Sequence, residues 1–176
     1  MRPWWWGVGV VVLATGCQLG PRWQWVQGEG FQVQLPGRPR YEERQLETPV
    51  GTVKAQAWGV NRPRGSYALV LTDYQQPVAR LADSPWMWAQ LKAQAQQRVQ
   101  GQVIQDQALT FGGYPGREIV LRIPPERLQG GGIAQMRFYF VGQRVYGLYA
   151  IVPQTLQEET VQFFDSFQVN AGTPSP

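Results

Sequence analysis

Two nine-residue segments rich in apolar residues, 133–141 and 144–152, flank Gly142-Gln143 and constrain the fold most strongly. Glycine followed by a second residue is typical of a two-residue type II′ turn, since glycine adopts the positive φ that the first turn position requires. The pattern therefore predicts a β-hairpin. Glycine opposite Phe138 leaves room for that ring to lie over the neighbouring strand. The pairs that this register places on one face are Phe140–Val145, Phe138–Gly147, Met136–Tyr149 and Ala134–Ile151.

Further strands are predicted wherever apolar and polar residues alternate between Gly- and Pro-containing turns. A charged segment, 38–47, precedes a turn at 48–51, and we expect it to pair with 52–60 as a hairpin. The segment 66–74 is apolar on both faces and is therefore expected in the centre of a sheet. The other predicted strands are 31–35, 102–109, 117–123 and 168–169.

Two helices are also indicated. Ser84 is placed as the N-cap of the first, with Pro85 at the first helical position and Gly101 placed to end it. Its apolar face consists of Trp88, Leu91, Ala95 and Val99. The second helix is predicted to begin at Thr155, where Thr155 and Glu158 form a Thr-x-x-Glu capping box.

This order of strands and helices predicts an α+β fold, in which an antiparallel β-sheet is sandwiched by helices. We expect one domain at 31–170 and a disordered tail at 171–176. A domain of this length is large enough to bury a core of its own.

The composition excludes several classes of chemistry. The chain contains no histidine and one cysteine, Cys17. The usual zinc, copper and non-haem iron sites therefore lack their ligands, and the Ser-His-Asp and Cys-His nucleophile arrangements are excluded. We expect no metal, no cofactor and no catalytic residues. The net charge of +4 is spread along the sequence without a dense basic block, which argues against nucleic acid and suits an anionic membrane surface or an acidic partner.

Cys17 closes a short apolar run that begins after Arg2. A secretory signal typically has a basic residue, an apolar stretch too short to span a bilayer, and small residues before the cleavage site. The N-terminal segment shows all three features. Residues 14–17, Ala-Thr-Gly-Cys, resemble a bacterial lipobox, which predicts a signal peptide at 1–16, lipid attachment at Cys17 and a tether at 17–30. An ordinary cleaved signal and an uncleaved N-terminal anchor remain as alternatives.

Several neighbouring polar residues are candidates for a site. Glu42 and Glu43 are adjacent on a predicted strand and so point to opposite faces, while Glu158-Glu159 lie in a predicted first helical turn. Asp73-Tyr74 are candidates to line a cleft, and Arg117-Glu118 to form a cross-strand ion pair. Structural roles account for the two glutamate pairs, and the other two pairs are not expected in an active site, because charged side chains are usually solvated or paired.

The glycine-rich stretches are interpreted as turns. The stretch 112–116 lacks the Gly-Lys-Ser/Thr ending of a phosphate-binding loop and precedes a strand. The stretch 130–132 lies between two predicted strands, which suits a hairpin loop better than a binding site.

Tryptophan is frequent for a domain of this size. Trp86 and Trp88 cannot share one face of a helix, so one of them is expected near the surface. Exposed tryptophan beside arginine is typical of a protein interface or a membrane-interface contact, and half-burial around the docked helix is the other interpretation. The remaining tryptophans of the predicted domain and tether are Trp23, Trp25 and Trp58.

Over about residues 23–169 the chain resembles bacterial lipoproteins of the PsbP/Mog1/DcrB-like family. The segments that carry this resemblance are Phe31-Gln-Val-Gln-Leu-Pro-Gly-Arg-Pro39, Gly113-Tyr-Pro-Gly-Arg-Glu118, Arg137-Phe-Tyr-Phe-Val-Gly-Gln-Arg-Val-Tyr146 and Phe163-Phe-Asp-Ser-Phe167. The resemblance implies an antiparallel sheet between helices. It also implies a mostly non-enzymatic role, since members include photosystem II extrinsic or assembly subunits, a nuclear-transport cofactor and envelope lipoproteins. The metal-binding histidines of some photosynthetic members have no counterpart here.

Together these features predict a lipid-anchored, non-catalytic accessory or assembly factor for a membrane protein complex. Photosynthetic complexes are among the candidate partners. We expect it on the extracytoplasmic face of a bacterial membrane, on the periplasmic or thylakoid-lumenal side. The alternatives are a binding protein for a small hydrophobic ligand in a cleft between sheet and helix, and a hydrolase without histidine.

Overall fold

A computed structural model describes residues 22–48, 51–74 and 76–170 of the chain. The predicted signal peptide, Cys17 and the predicted tail at 171–176 lie outside the described residues. Within the described part, the chain forms two antiparallel sheets and two α-helices. This arrangement confirms the predicted α+β class with helices packed on antiparallel sheet.

The larger sheet has seven strands in the order β3-β4-β5-β9-β8-β7-β6. β5 pairs with β4 on one side and β9 on the other, which confirms the central position predicted for this segment. The strands are β3 (Arg40–Thr48), β4 (Gly51–Arg62), β5 (Gly65–Asp73), β6 (Gln102–Phe111), β7 (Tyr114–Ile123), β8 (Gly132–Val141) and β9 (Arg144–Pro153).

The β8–β9 hairpin has the register predicted from Gly142-Gln143, and Phe138 lies opposite Gly147. Gly142 adopts a φ of +60°, the region that favours glycine. The prediction that Gly147 leaves room for the Phe138 ring is wrong in one respect. A Cβ atom at that position would lie 2.8 Å from the Tyr149 hydroxyl, so the ring that needs the space belongs to Tyr149, two residues along the same strand.

The smaller sheet has the order β1-β2-β10, with β1 at Gln24–Gly28, β2 at Phe31–Leu35 and β10 at Gln168–Val169. β1 lies within the segment 17–30 that is predicted as a tether. Val26 lies opposite Val33, and both side chains are buried in the core, so the fold already includes residues 24–28.

The first helix, α1 (Pro85–Val99), begins as predicted: the Ser84 hydroxyl accepts a hydrogen bond from the Met87 amide at 3.3 Å. Its end differs from the prediction. Gln100, with a φ of 48°, takes the left-handed position that follows the helix, and not Gly101. Gly101 is required for a different reason, because a Cβ atom there would lie 2.6 Å from the backbone oxygen of Arg122.

The second helix, α2 (Glu159–Asp165), begins later than predicted, and the expected Thr155–Glu158 capping box does not form. β9 continues to Pro153, and residues Gln154–Leu156 make a 3₁₀ turn. This extra turn redirects the chain, so that Phe163 and Phe164 of α2 face the sheet.

The larger sheet separates two clusters of buried side chains. One face packs against β1, β2 and α2, and its core includes Phe31, Leu69, Leu148 and Phe163. The other face packs against α1, where Trp88 contacts the rings of Phe138 and Phe140. In the part of the chain that the structure describes, both clusters draw their residues from 22–170. No helix in the described part of the chain is long and apolar enough to cross a bilayer.

Candidate functional site

The described chain enters the fold at Arg22 and Trp23. The Trp23 ring lies edge-on to the Tyr67 ring with centroids 6.0 Å apart, which fixes the point at which the N-terminal segment meets the domain. Cys17 is five residues upstream of Arg22 and lies outside the described residues, so its lipid attachment stays a prediction.

Glu118 is the most buried charged side chain of the described domain, with 5% of its surface exposed. It lies on the central part of β7, on the face that packs against α2. Two neighbouring strands supply hydrogen bonds to its carboxylate. The four donors are Arg137 at 2.6 Å, Gln135 at 2.8 Å, Gln105 at 2.9 Å and Gln107 at 3.0 Å.

Burial by itself raises the pKa of the Glu118 carboxyl, but the hydrogen bonds from Arg137 and Gln135 outweigh it and hold the pKa below its ordinary value. A carboxylate has about four lone-pair positions, and four protein donors occupy them here. Glu118 therefore stays ionised and has no position left for a substrate proton. Its arrangement suits a structural role and not general acid–base catalysis.

A second cluster attaches α1 to the sheet. Asp106 accepts hydrogen bonds from Lys92 of α1, at 2.6 Å, and from Arg117 of β7. The hydrogen bond from Arg117, only partly offset by burial, is the main reason that the pKa of Asp106 lies below its ordinary value. The Arg117 guanidinium also lies over the Trp88 ring, 5.2 Å from its centroid. The cluster therefore connects the helix, the sheet edge and the second core.

The predicted Arg117-Glu118 ion pairs form across strands, but the two residues have different partners. They alternate along β7 and point to opposite faces of the sheet, so Arg117 pairs with Asp106 and Glu118 with Arg137. Adjacent residues of any strand point to opposite faces, whereas their partners depend on the register of β6, β7 and β8.

The other carboxylate candidates are not brought together. Glu42 pairs with Arg40 and Arg44 on one face of β3, and Glu43 pairs with Lys54 on the other. Asp73 pairs with Arg144 at 3.2 Å at the end of β5. Glu158 and Glu159 lie at the start of α2, where Glu159 approaches Arg62 at 3.4 Å. Within residues 22–48, 51–74 and 76–170, no group of three His, Cys, Asp or Glu side chains could hold a metal ion.

Two open clefts adjoin where α1 ends beside the loop between β7 and β8. The larger, about 530 Å³, is lined by Gln100, Arg122 and the backbone of residues 130–132 among others. The smaller, about 270 Å³, lies between Arg98 and Arg127, with Ile151 in its wall. The glycine stretch that was interpreted as a hairpin loop thus also lines a cleft. Sequence reasoning missed these arginines, because Arg98 is 24 residues from Arg122 and 29 from Arg127 and meets them only in the fold.

The two tryptophans of α1 divide between core and surface, as their positions on the helix predict, and half-burial of every tryptophan is not observed among the described residues. Trp88 is 3% exposed in the second core, whereas Trp86, two residues earlier on α1, is 59% exposed. Trp25 projects from β1 and is 51% exposed. Trp58 is half-buried and packs edge-on against Phe31, with ring centroids 4.9 Å apart. Two tryptophans are therefore available for contacts outside the domain.

Comparison with known proteins gives a likeness in structure but none in sequence. No protein-family model matches the sequence, and no curated protein matches it significantly. The solution structure of cyanobacterial PsbP (CyanoP) from Synechocystis sp. PCC 6803 matches with a TM-score of 0.54 and 13% identity, over 89% of this chain and 98% of that one. Protein PA94 of unknown function from Pseudomonas aeruginosa gives a TM-score of 0.40 and 10% identity, over 88% of this chain and 98% of that one.

The match to CyanoP extends over nearly the whole of both chains, so it concerns the complete arrangement of sheets and helices. At this level of identity the likeness concerns the fold, while function depends on the residues of the site. The chain described here therefore has a PsbP-like α+β fold.

Proposed function

We propose that this protein is a lipid-anchored, non-catalytic accessory or assembly factor for a membrane protein complex on the extracytoplasmic side of a bacterial membrane. Cys17, in its lipobox-like context, supplies the anchor. The folded domain begins five residues later, at Arg22, and presents its surface to proteins in the same membrane.

One observation carries the non-catalytic part of the proposal. The buried carboxylate Glu118 is fully hydrogen-bonded by residues of its own domain, while the large Trp86 ring projects into solvent. An active site needs polar groups that converge on a free volume, whereas an interface needs exposed aromatic anchors. The PsbP-like fold supports the same conclusion by analogy only.

Trp86 is the candidate anchor for the partner. It lies in the first turn of α1, at the end of the domain opposite to the point where the N-terminal segment enters. Tryptophan is enriched among residues that dominate binding energy in protein interfaces. A lipid-anchored domain would thus present Trp86 away from its own attachment point.

The test is crosslinking followed by affinity purification from solubilised membranes, with the full chain and its Trp86→Ser variant. We expect one integral membrane complex with the unaltered chain and a much reduced yield with Trp86→Ser. Val161→Ser is the matched control, since Val161 is an exposed apolar residue on the other helix. Equal recovery with all three chains, or recovery of no complex, would contradict the proposal.

The anchor needs a separate test. Changing Cys17→Ala should release the protein from membranes and abolish labelling by a radioactive fatty acid, because one thiol carries the first acyl chains and the chain has no other cysteine. A variant that stays membrane-bound with unaltered mobility would show that an uncleaved hydrophobic segment holds the protein.

A second candidate function is binding of a small hydrophobic ligand. The observation in its favour is the smaller cleft between α1 and the sheet, whose apolar wall includes Val99, Leu128 and Ile151. Mass spectrometry of the gently purified protein tests it. A stoichiometric bound lipid that is lost in an Ile151→Trp variant would favour this function over the accessory role.

A further inference from the structure

Seven arginines meet at one end of the domain, which we call the basic end. It is the end at which β4, β7 and β9 finish, and the backbone pairing places Arg62, Arg122 and their neighbours in the last row of the larger sheet. Loops and the end of α1 add the others. The arginines of the basic end are Arg22, Arg38, Arg62, Arg64, Arg98, Arg122 and Arg127.

Charge is strongly segregated between this end and the rest of the domain. The basic end has three acidic residues, Glu126, Glu158 and Glu159, against its seven arginines. The remaining described residues include eight basic and nine acidic ones. The whole positive excess of the described domain therefore lies at one end, although the sequence contains no basic block.

The arginines of the basic end also differ in their pairing. Of the seven arginines of the basic end, only Arg62 has a carboxylate of the described residues within 4 Å, namely that of Glu159. Elsewhere in the described domain, seven of the eight basic side chains have a carboxylate partner, and Arg80 is the exception. The six guanidinium groups without such a partner belong to residues that are exposed to solvent. They are free to bind anions from outside the domain.

The N-terminal segment leaves the domain from this same end. Gln24 lies opposite Leu35, and Trp23 packs on Tyr67, next to the β4–β5 turn that carries Arg62 and Arg64. Four residues lie between Cys17 and Arg22, so the two Cα atoms are five residue steps apart along the chain. Covalent geometry limits five steps to at most about 18 Å.

That distance matters for electrostatics. The Debye length is about 10 Å at 0.1 M ionic strength, so charges within that range of a charged surface are attracted to it. A domain anchored at Cys17 holds the basic end close to the lipid headgroups and the opposite end away from them. Trp25, exposed and three residues from Arg22, belongs to a residue type that is enriched at membrane–water interfaces.

We propose that the basic end is a docking surface for anionic phospholipid, which orients the domain on the membrane. Guanidinium groups form bidentate hydrogen bonds with phosphate, and the clefts beside Arg98, Arg122 and Arg127 are open to headgroups. Only the tethering of the basic end next to the membrane rests on the proposed lipid anchor, whereas binding of the basic end to anionic lipid does not.

The test uses the mature chain, residues 17–176, with Cys17→Ser, so that no acyl chain contributes to binding. This chain contains both cores, and cooperative unfolding is checked first. Its binding to vesicles of phosphatidylcholine, with and without phosphatidylglycerol, is measured by flotation. We expect binding to the anionic vesicles only, lost when salt is raised from about 0.1 M to about 1 M, where the Debye length falls to about 3 Å.

Two variants with equal charge change decide whether location matters. Arg64→Gln, Arg122→Gln and Arg127→Gln together remove three unpaired charges of the basic end. Arg44→Gln, Lys54→Gln and Arg80→Gln remove three exposed charges elsewhere. The first triple variant should bind anionic vesicles at least tenfold more weakly, since each surface arginine contributes about 1 kcal/mol and tenfold is about 1.4 kcal/mol. The second should change binding less than about threefold, because its charges lie beyond the range of the surface.

Equal loss in the two triple variants would overturn the proposal, because attraction would then follow net charge and not the basic end. Equal binding of the unaltered chain to neutral and anionic vesicles, or no binding to either, would also overturn it. These results do not depend on the Cys17→Ala fractionation. The experiments therefore distinguish a wrong prediction of lipid attachment at Cys17 from a wrong proposal of lipid binding by the basic end.

Orientation is measured directly on the same cysteine-free background. An environment-sensitive fluorophore is attached at Arg64→Cys in one chain and at Arg80→Cys in another. Residue 80 lies near the β8–β9 turn, since the Val78 amide donates to the Gly142 carbonyl at 3.0 Å. Anionic vesicles should shift the emission of the probe at 64 to the blue and leave the probe at 80 unchanged. Equal shifts at the two positions would contradict a fixed orientation.

Discussion

Arg137 and Glu118 lie directly opposite each other on β8 and β7, with the Arg137 Nε 2.6 Å from the Glu118 Oε1. The same guanidinium lies over the Phe164 ring of α2 at 4.7 Å. The pair therefore joins the sheet to the second helix. Breaking a buried ion pair on one side is costly, because the remaining charge stays desolvated.

Changing Glu118→Gln should destabilise the domain by about 2–4 kcal/mol, because the amide nitrogen meets other donors and Arg137 loses its partner. The measurement is urea unfolding at pH 7. Glu43→Gln is the control, since Glu43 lies on the exposed β3–β4 hairpin, and its unfolding midpoint should not change measurably. Equal midpoints for Glu118→Gln and the unaltered protein would contradict the structural role of Glu118.

The stability of the domain should fall as the pH is lowered below about 5. The pKa values of Glu118 and Asp106 lie below their ordinary values in the folded protein. Their stabilising effect is therefore complete above the unfolded pKa values, about 4, and is lost as the pH falls through the folded ones. Urea unfolding at pH 7 and pH 3.5 measures the difference. A Glu118→Gln, Asp106→Asn double variant should lose less stability between the two pH values. An equal loss would show that other carboxyl groups cause the pH dependence.

Tyr67→Phe should stabilise the domain by about 1 kcal/mol. The Tyr67 hydroxyl is buried without a hydrogen-bond partner in the described structure, and burial raises its pKa to about 12. Tyr146→Phe is the matched control, because Tyr146 is equally buried on the same sheet face but its hydroxyl interacts with the charged Arg144 side chain. We expect the control to be destabilised. Thermal unfolding compares the two, and a loss of stability in Tyr67→Phe would reveal a partner for that hydroxyl.

Trp88→Ala and Trp86→Ala should differ widely in their effect on stability. Trp88 packs on two phenylalanine rings, and its indole nitrogen donates to the Ala82 carbonyl at 2.7 Å. Its removal should cost about 3–5 kcal/mol through the cavity that it leaves. Removal of the exposed Trp86 ring should change stability by less than about 0.5 kcal/mol. Denaturant unfolding provides the comparison, and similar losses would mean that Trp86 is covered in solution.

Local patterns predicted most of the elements. The turn at Gly142-Gln143 set the register of β8 and β9, and Ser84-Pro85 marked the start of α1. These features depend on residues a few positions apart, where φ preferences and capping hydrogen bonds act directly. The capping box at Thr155 failed for a related reason: its spacing was correct, but β9 extends to Pro153 and leaves a 3₁₀ turn there.

The candidate site was less predictable than the fold. The four donors around Glu118 come from β6 and β8, and their side chains meet only because two hairpin registers align. Gln105 and Gln107 are two residues apart on β6 and so share a face, but that spacing does not show that a buried acid lies beside them. A pattern along one strand contains no information about which strand lies beside it.

The sequence by itself determined the local elements, the absence of histidine chemistry and the predicted attachment at Cys17. Only the tertiary structure decided where the charged side chains lie on the surface of the domain. Arg22, Arg64 and Arg122 are up to 100 residues apart along the chain, yet they lie at one end of the domain because antiparallel strands bring distant turns together. Local conformation depends on neighbouring residues, whereas the field at a surface depends on the sum of charges that the fold assembles.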